Sequence, residues 1–253
     1  MNKILFFNKK IIPLHVYQTW STHDLPPFMK KTIEHNQSLN PEFKFHLYDD
    51  DDCFQFIKNN FSADILNAYT KLKPGAYKAD LWRYCVLYVN GGIYMDVKVK
   101  LSFNFSLKEL IYSEHYVKDI AGPFDNLGIY NAFMVHAPKN ALLLKCIDQI
   151  VLNVSNKYYG ENPLCITGPA LFGRLFILGN YDLKLVDIEH TQDGKLAYKN
   201  KAFATMYAQY RDEQRGDEQR GNEQRGLERK GGDKKGENIY LHYSELWNLK
   251  KVY

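Results

Sequence analysis

The order of strand and helix patterns along the chain predicts an α/β fold, with a mostly parallel central sheet and helices on both faces. Within residues 43–48, every second side chain is a Phe or a Leu, which is the period of a β-strand. Residues 139–153 instead carry apolar side chains at the spacing of an amphipathic helix. After Asn90, Gly91 and Gly92 end a helix pattern, a strand pattern follows at once. Strands that alternate with helices in this way usually pair in parallel, because the helix carries the chain back to the same end of the sheet.

The same criteria apply along the rest of the chain. Strands are predicted at residues 11–18, 43–48, 93–99, 131–136, 183–188 and 238–243. Helices are predicted at residues 26–37, 62–72, 74–88, 139–153 and 170–178, with a further helix after the acidic run 49–52.

Composition and charge limit the class of protein. The chain has 253 residues, 45% of them hydrophobic and 25% charged, which is typical of one globular domain. A formal charge of +4 is too small to predict nucleic acid as a partner. The widely spaced cysteines form no Cys-x-x-Cys pair, so they predict neither a zinc site nor a redox motif. The apolar run Met1–Phe7 is too short for a signal peptide or a transmembrane segment, which predicts a cytoplasmic protein.

The four consecutive acids Asp49–Asp52 allow two interpretations. Carboxylates suit hard cations, so the run could bind a metal ion. It also lies directly before a periodic apolar stretch, where carboxylates cap a helix and interact favourably with its dipole. We favour the capping role.

A five-residue repeat interrupts the pattern near the C-terminus. Residues 212–236 read DEQRG, DEQRG, NEQRG, LERKG and GDKKG. The repeat has almost no apolar side chains and a glycine in every unit, so we expect a disordered, solvated insertion. Its acids nearly balance its bases, which argues against nucleic acid as a partner. The predicted organisation is a main domain over residues 1–211, the insertion 212–236, and a segment 237–253 that completes the domain.

Two pairs of charged residues surround the Gly91–Gly92 stop. Asp80 and Arg83 lie three residues apart on the predicted helix, where they could simply form a local ion pair. Asp96 and Lys98 lie on one face of the predicted strand. That face could belong to a solvent-exposed edge strand, or to a strand end where open α/β sheets bind their ligands.

The order of residues around these pairs resembles a known family. The pattern P-x5-D-x2-R-Y-x2-L-Y-x2-G-G-I-Y-x-D runs from Pro74 to Asp96. It is similar to the glycosyltransferase sugar-binding region containing a DXD motif. This family includes fungal initiating α-1,6-mannosyltransferases and is akin to clostridial toxin glucosyltransferases. Weaker matches extend the resemblance over about residues 11–210 and the C-terminal segment; they are Ile12-Pro13, Gln18-Thr19-Trp20, Asn131, Pro138, Thr167-Gly168-Pro169, His242 and Trp247.

The resemblance implies a GT-A-type nucleotide-diphospho-sugar transferase fold. It also implies transfer of a sugar from a UDP- or GDP-sugar donor to a hydroxyl of a glycan or protein acceptor, with retained configuration. The catalytic residues it implies are Asp80, Arg83, Asp96 and Lys98. The donor-binding residues it implies are Tyr17, Gln18, Thr19, Trp20, Asp80, Arg83, Gly92, Tyr94, Asn131 and Trp247. A Mn²⁺ or Mg²⁺ ion bound by Asp96, with His242 nearby, would complete the site.

Lys98 is the main departure from the family pattern, because it stands where the second Asp of D-x-D is expected. An ammonium group cannot bind a cation, so the change removes a metal ligand. Metal could still bind through Asp96 and the donor phosphates, or Lys98 could neutralise the diphosphate itself. A third outcome is a catalytically inactive sugar-binding or nucleotide-sugar-binding protein of the same fold. We favour an active enzyme.

Overall fold

The computed structural model describes residues 11–119, 128–216 and 241–253. Its strands are β1 (His15–Thr19), β2 (Lys44–Tyr48), β3 (Gly92–Met95), β4 (Val99–Leu101), β5 (His115–Lys118), β6 (Ile129–His136), β7 (Val186–His190), β8 (Lys195–Tyr198) and β9 (Lys201–Met206). Its helices are α1 (Pro27–Leu39), α2 (Asp50–Asn60), α3 (Ala63–Lys71), α4 (Gly75–Asn90), α5 (Ala141–Ser155), α6 (Pro169–Leu178), α7 (residues 210–216) and α8 (Tyr243–Asn248).

The nine strands form one sheet in the order β2-β1-β3-β6-β5-β7-β8-β9-β4. The predicted α/β fold is confirmed. The prediction of a mostly parallel sheet needs a correction, because among the described strands β1–β2, β1–β3 and β5–β7 pair in parallel and the other five pairs are antiparallel. Short connections account for part of the difference. β8 and β9 are joined by Lys199 and Asn200 alone, both at positive φ (49° and 61°), and so short a turn can join only antiparallel strands.

The sheet separates two apolar cores. Helices α3 to α6 cover one face, where Trp82, Leu87 and Ile147 are fully buried. On the other face the curled end of the sheet folds back, so that Leu101 of β4 and Phe203 of β9 join the core that contains Phe133 of β6. Helix α1 lies on this side and contacts β4. Helices therefore contribute to both faces, as expected.

The junction between α4 and β3 fixes where α4 lies. Helix α4 is almost entirely buried from Asp80 to Leu87, which anchors it against the sheet. Gly91 and Gly92 then turn the chain with φ of 63° and 107°. A β-carbon on Gly92 would lie 2.7 Å from the His15 carbonyl oxygen, so only glycine fits between α4 and β1.

The strand predicted over residues 93–99 is interrupted. β3 ends at Met95, and the Val99 amide donates to the Asp96 carbonyl at 2.9 Å to close a turn. The chain turns here because β4 pairs with β9 rather than extending β3. Asp96 therefore lies at the end of an interior strand, since β3 is flanked by β1 and β6.

Two further regions bear on the sequence predictions. Asp49 caps α2 by accepting from the Asp52 amide at 2.9 Å, and the Asp52 carboxylate accepts from the Asp49 amide at 3.3 Å, which confirms the capping role. The strand predicted over 238–243 is wrong where the structure describes it. Tyr243 begins α8, and a capping box between His242 and Glu245 stabilises that start. Among the described residues, no helix is both long enough and apolar enough to cross a membrane.

The first unit of the repeat is helical and docked, which differs from the disorder expected of residues 212–236. Its Glu213 lies in α7 and accepts hydrogen bonds from the Phe28 and Met29 amides at 2.7 and 3.0 Å. The Tyr207 hydroxyl donates to the same carboxylate at 2.8 Å. Pro26, at the N-cap position of α1, has no polar side chain, so Glu213 supplies the cap from the far end of the chain. Residues 217–240, which include the rest of the repeat, lie outside the described residues.

Replacing Glu213 by Ala should lower the free energy of unfolding by about 1 kcal/mol, because two amides at the positive end of α1 lose their acceptor. Urea unfolding followed by circular dichroism would measure the change. Asp212→Ala is the matched control, since its carboxylate is exposed and its described ion pair is with Arg215 of the same helix. Equal midpoints for the two variants would show that the cap contributes nothing.

Candidate active site

The parallel half of the sheet brings three segments to one edge. β1, β2 and β3 run in the same direction, with Tyr17 paired to both His46 and Tyr94. Trp20, Asp49 and Asp96 follow the ends of these strands. Open α/β sheets bind ligands at the carboxyl ends of their strands, so the edge is a candidate site.

Asp80 is held in a buried hydrogen-bond network. It is 8% exposed, and its two carboxylate oxygens accept from the Asn131 amide at 2.9 Å and from the Thr167 hydroxyl at 2.7 Å. The same Asn131 amide donates to the Tyr84 hydroxyl at 2.9 Å. Burial raises the pKa of Asp80, although the neighbouring Arg83 charge opposes the shift. The network connects α4 to β6 and to the start of α6.

Arg83 connects Asp80 to the end of β3. Its guanidinium lies 3.5 Å from an Asp80 oxygen and 3.4 Å from an Asp96 oxygen. It also donates to the Asn131 carbonyl at 2.8 Å and stacks 4.4 Å from the centre of the Tyr94 ring. Burial alone would lower the pKa of Arg83, but Tyr94, Asp96 and Asp80 together raise it. The guanidinium therefore stays charged, and the pair Asp80–Arg83 is part of a larger network rather than an isolated ion pair.

Both oxygens of the Asp96 carboxylate are engaged. One oxygen accepts from the Tyr94 hydroxyl at 2.7 Å and faces Arg83, while the other lies 2.9 Å from the Lys98 ammonium. Burial alone would raise the pKa of Asp96, but the Lys98 and Arg83 charges and the Tyr94 hydroxyl hold it below its usual value. Burial would likewise lower the pKa of Lys98, and the Asp96 charge raises it. Each group stabilises the charged form of the other.

The N-terminal donor-site candidates lie along β1. Tyr17 is buried and stacks on His46 at 5.0 Å, and burial raises its pKa to about 12. The Thr19 hydroxyl donates to the Tyr48 carbonyl at 2.9 Å. Gln18 is 1% exposed, and its side-chain amide nitrogen has no hydrogen-bond partner among the described residues. Buried donors without a partner are rare, so Gln18 is a candidate to meet a ligand.

The two C-terminal candidates have structural contacts. The Trp247 indole donates to the Tyr159 carbonyl at 2.7 Å. The contacts described for His242 lie within the cap of α8, where it meets Ser244 at 2.7 Å, and none of them involves Asp96. The structure therefore does not bring the predicted metal pair Asp96 and His242 into contact.

Sequence reasoning missed several neighbours of the charged cluster. Tyr243 in α8 has a raised pKa, first because it is buried and then because of the Asp80 charge, while Lys98 opposes the shift. The centre of the Tyr130 ring lies 5.9 Å from the Lys98 ammonium. Tyr84 and Thr167, which belong to the family pattern but were assigned no role in the site, complete the Asp80 network. In the sequence, Tyr243 directly follows His242 and Tyr130 directly precedes Asn131. This proximity to predicted site residues was the available signal for both tyrosines.

A divalent cation does not fit Asp96 as the structure holds it. Mg²⁺ needs oxygen ligands at about 2.0–2.1 Å, whereas one Asp96 oxygen accepts from the Tyr94 hydroxyl and faces Arg83, and the other lies 2.9 Å from the Lys98 ammonium. Among the described residues, the group of three potential ligands that could surround one ion is His23, Asp49 and Asp52. Its carboxylates already form the α2 cap, and His23 lies 2.8 Å from Asp52. Metal binding at Asp96 is thus not supported by the geometry.

The comparison with known families concerns the same region. A family model described as the glycosyltransferase sugar-binding region containing a DXD motif matches residues 26–116, which include Asp80, Arg83, Asp96 and Lys98. The predicted resemblance is confirmed.

Similar proteins include an uncharacterized glycosyltransferase of Acanthamoeba polyphaga mimivirus, 37% identical over 34% of this chain and 36% of its own length. Inositol phosphoceramide mannosyltransferase 3 of Schizosaccharomyces pombe is 28% identical over 70% of this chain and 48% of its own length. The initiation-specific α-1,6-mannosyltransferase of Candida albicans is 31% identical over 35% of this chain and 24% of its own. The chain thus spans less than half the length of these curated relatives.

Solved structures support the GT-A-type fold. The PaToxG glycosyltransferase superposes with a TM-score of 0.53 at 16% identity, over 66% of this chain and 70% of its own. The UDP-bound glycosyltransferase domain of the YGT toxin gives a TM-score of 0.50 at 10% identity, over 78% and 81% of the two chains.

Replacing Asp96 by Asn should lower the free energy of unfolding by about 3 kcal/mol at pH 7, because Lys98 and Arg83 lose their shared counter-charge. The folded-state pKa of Asp96 is depressed, so its contribution is present above the unfolded pKa of about 3.9 and is lost as the pH falls through the lower folded value. The difference between wild type and D96N should therefore be constant from pH 7 to about pH 5 and shrink below about pH 4.

Urea unfolding at pH 7, 5 and 3.5 would measure this dependence. Asp148→Asn on the exposed face of α5 is the matched control and should show no such trend. A D96N difference that stays the same at all three pH values would contradict the ion-pair origin of the effect.

Proposed function

We propose that this chain, an enzyme of the glycosyltransferase type, transfers a sugar from a nucleoside-diphosphate donor to an acceptor hydroxyl. The observation that carries the proposal is the contact of one guanidinium, Arg83, with both Asp80 and Asp96 inside the segment that matches the family. Burying four charged groups costs free energy that an apolar cluster would not cost. Such a cluster at the ligand-binding edge of an α/β sheet is better explained by chemistry than by stability.

The proposed chemistry follows from where charge develops during transfer. Departure of the nucleoside diphosphate leaves negative charge on the phosphate oxygens, which cations stabilise. Arg83 and Lys98 supply two positive charges beside the end of β3. The sugar ring acquires positive charge as the bond to the leaving group breaks, and carboxylates such as Asp80 and Asp96 stabilise it. Retention of configuration, implied by the resemblance, is part of this proposal.

Donor recognition is proposed for two groups of residues. Asp80 and Arg83 would contact the sugar, because each carboxylate oxygen keeps a lone pair beyond its present hydrogen bond. The segment from Tyr17 to Trp20, with Gly92 and Tyr94, would line the nucleotide site at the ends of β1 and β3. The buried amide of Gln18 would find its missing partner there. Asn131 would act by holding Asp80 and Arg83 in place.

The names of similar proteins guide the choice of substrates. One solved neighbour is UDP-bound, and several yeast relatives are named as mannosyltransferases. We therefore propose a UDP- or GDP-hexose as the donor and a glycan or protein hydroxyl as the acceptor. The S. pombe relative is named for inositol phosphoceramide, so an inositol hydroxyl belongs among the acceptors tested. The cytoplasmic location and the three-part organisation of the chain stay predictions.

An inactive binding protein is the less favoured alternative. Loss of catalysis would remove the need to keep four charges in contact, yet Asp80, Arg83, Asp96 and Lys98 form one continuous set of contacts.

Replacing Arg83 by Lys should lower the turnover of the preferred donor about 100-fold, because a compact ammonium does not reproduce the planar guanidinium fork that faces Asp80, Asp96 and the Asn131 carbonyl. Release of UDP or GDP from a panel of UDP- and GDP-hexoses, with and without acceptors, would measure turnover. Arg174→Lys on the exposed face of α6 is the control. A folded wild-type protein that neither binds nor turns over any member of the panel would refute the proposed function.

A further inference from the structure

Resting on the proposed function, we infer that the Lys98 ammonium, rather than a divalent cation, neutralises the diphosphate of the donor. The family motif places a second carboxylate at this position, and this chain places a lysine there. The substitution changes both the shape and the charge of the site, and each change points to the same conclusion.

The first argument is the occupancy of Asp96. One oxygen receives the Tyr94 hydroxyl at 2.7 Å and faces Arg83 at 3.4 Å, and the other meets Lys98 at 2.9 Å. A cation bound to either oxygen would be brought next to a guanidinium or an ammonium group. Like charges at such distances repel strongly in a partly buried site. Asp96 therefore acts as the partner of two protein cations and not as a metal ligand.

The second argument is the charge of the cluster. Asp80 and Asp96 carry two negative charges, and Arg83 and Lys98 carry two positive charges, so the four groups sum to zero. Exchanging an aspartate for a lysine changes the local charge by two units, which is the charge that a divalent cation brings. A D-x-D site loaded with its metal and this D-x-K site without metal thus present the same net charge to the diphosphate.

The third argument is access. The Lys98 side chain is 26% exposed, whereas that of Arg83 is 7% exposed and fixed by hydrogen bonds. Lys98 is therefore the more accessible of the two cations of the cluster to an incoming diphosphate. Its backbone is held by the Tyr207 amide, which donates to the Lys98 carbonyl at 3.0 Å. An ammonium on a flexible stem has three donors, so it can keep Asp96 and still contact phosphate oxygens.

The test is a binding measurement on the full chain with UDP and GDP as probes. Isothermal titration calorimetry in EDTA and in MnCl₂ would give the dissociation constant of wild type under both conditions. For whichever nucleotide binds, we expect the dissociation constants in EDTA and in MnCl₂ to agree within about twofold. Turnover of the corresponding nucleotide-sugar should be equally insensitive to EDTA.

Variants at position 98 sharpen the test. Lys98→Met should weaken nucleotide binding about 10-fold or more, since a charge-assisted hydrogen bond is lost. Lys98→Arg should stay within a few-fold of wild type, and Lys98→Asp should bind only when Mn²⁺ is present. Lys100→Met, an exposed lysine two residues along the chain, is the matched control. Circular dichroism would establish that each variant is folded.

Bound Mn²⁺ can be counted by electron paramagnetic resonance, independently of activity. The measurement is made in a His23→Ala background, which removes one of the three potential ligands in the group described at His23, Asp49 and Asp52. In that background we expect no nucleotide-dependent Mn²⁺ binding with Lys98, and about one ion per chain with Lys98→Asp.

Each outcome has one meaning. Wild-type binding that requires Mn²⁺ would overturn the inference and leave the proposed function standing. Absence of nucleotide binding and of turnover under both conditions would instead refute the proposed function. Because the wild-type comparison needs no variant, a misfolded Lys98→Met would not prevent a decision.

Discussion

The site depends on the contacts that the Arg83 guanidinium makes with Asp80 and Asp96. It joins α4, which packs over one face of the sheet, to the end of β3, which lies in the middle of that sheet. The contact requires the chain to turn directly from α4 into β3, and Gly91 and Gly92 allow this because both adopt positive φ, with Gly92 close to the backbone of β1. Without that turn, Arg83 on α4 would not reach Asp96 at the end of β3, and the two aspartates would not share a cation.

Burial makes this cluster strongly coupled. Charged groups removed from water are tolerated when each has a partner of opposite charge and its hydrogen bonds are made. Here the Asp80 oxygens accept hydrogen bonds from Asn131 and Thr167. The Asp96 oxygens accept a hydrogen bond from Tyr94 and form an ion pair with Lys98. The same contacts that stabilise the charges also orient them, so a donor would meet groups that are already in position.

Part of the fold could be predicted from the sequence because it depends on residues that are close together in the chain. The stop at Gly91–Gly92 and the cap of α2 by Asp49 and Asp52 depend on residues within a few positions of each other. The strands β4, β5, β8 and β9 were not predicted, since they have only 3, 4, 4 and 6 residues, too few for a clear alternation of apolar and polar side chains. Tyr243 was assigned to a strand for the related reason that its alternating neighbours resemble one, whereas a capping box starts a helix there.

The sequence by itself determined the α/β class, the helix stop before β3 and the resemblance that singles out Asp80, Arg83, Asp96 and Lys98. These follow from spacing along the chain, which is where helix, strand and turn preferences act. Only the tertiary structure decided that Arg83 lies between the two aspartates and that Lys98 forms an ion pair with the second oxygen of Asp96. It alone decided as well that Glu213 caps α1, although Glu213 and Met29 are 184 residues apart. Such contacts depend on how the sheet curls and which elements pack together, and no local pattern in the chain encodes those distances.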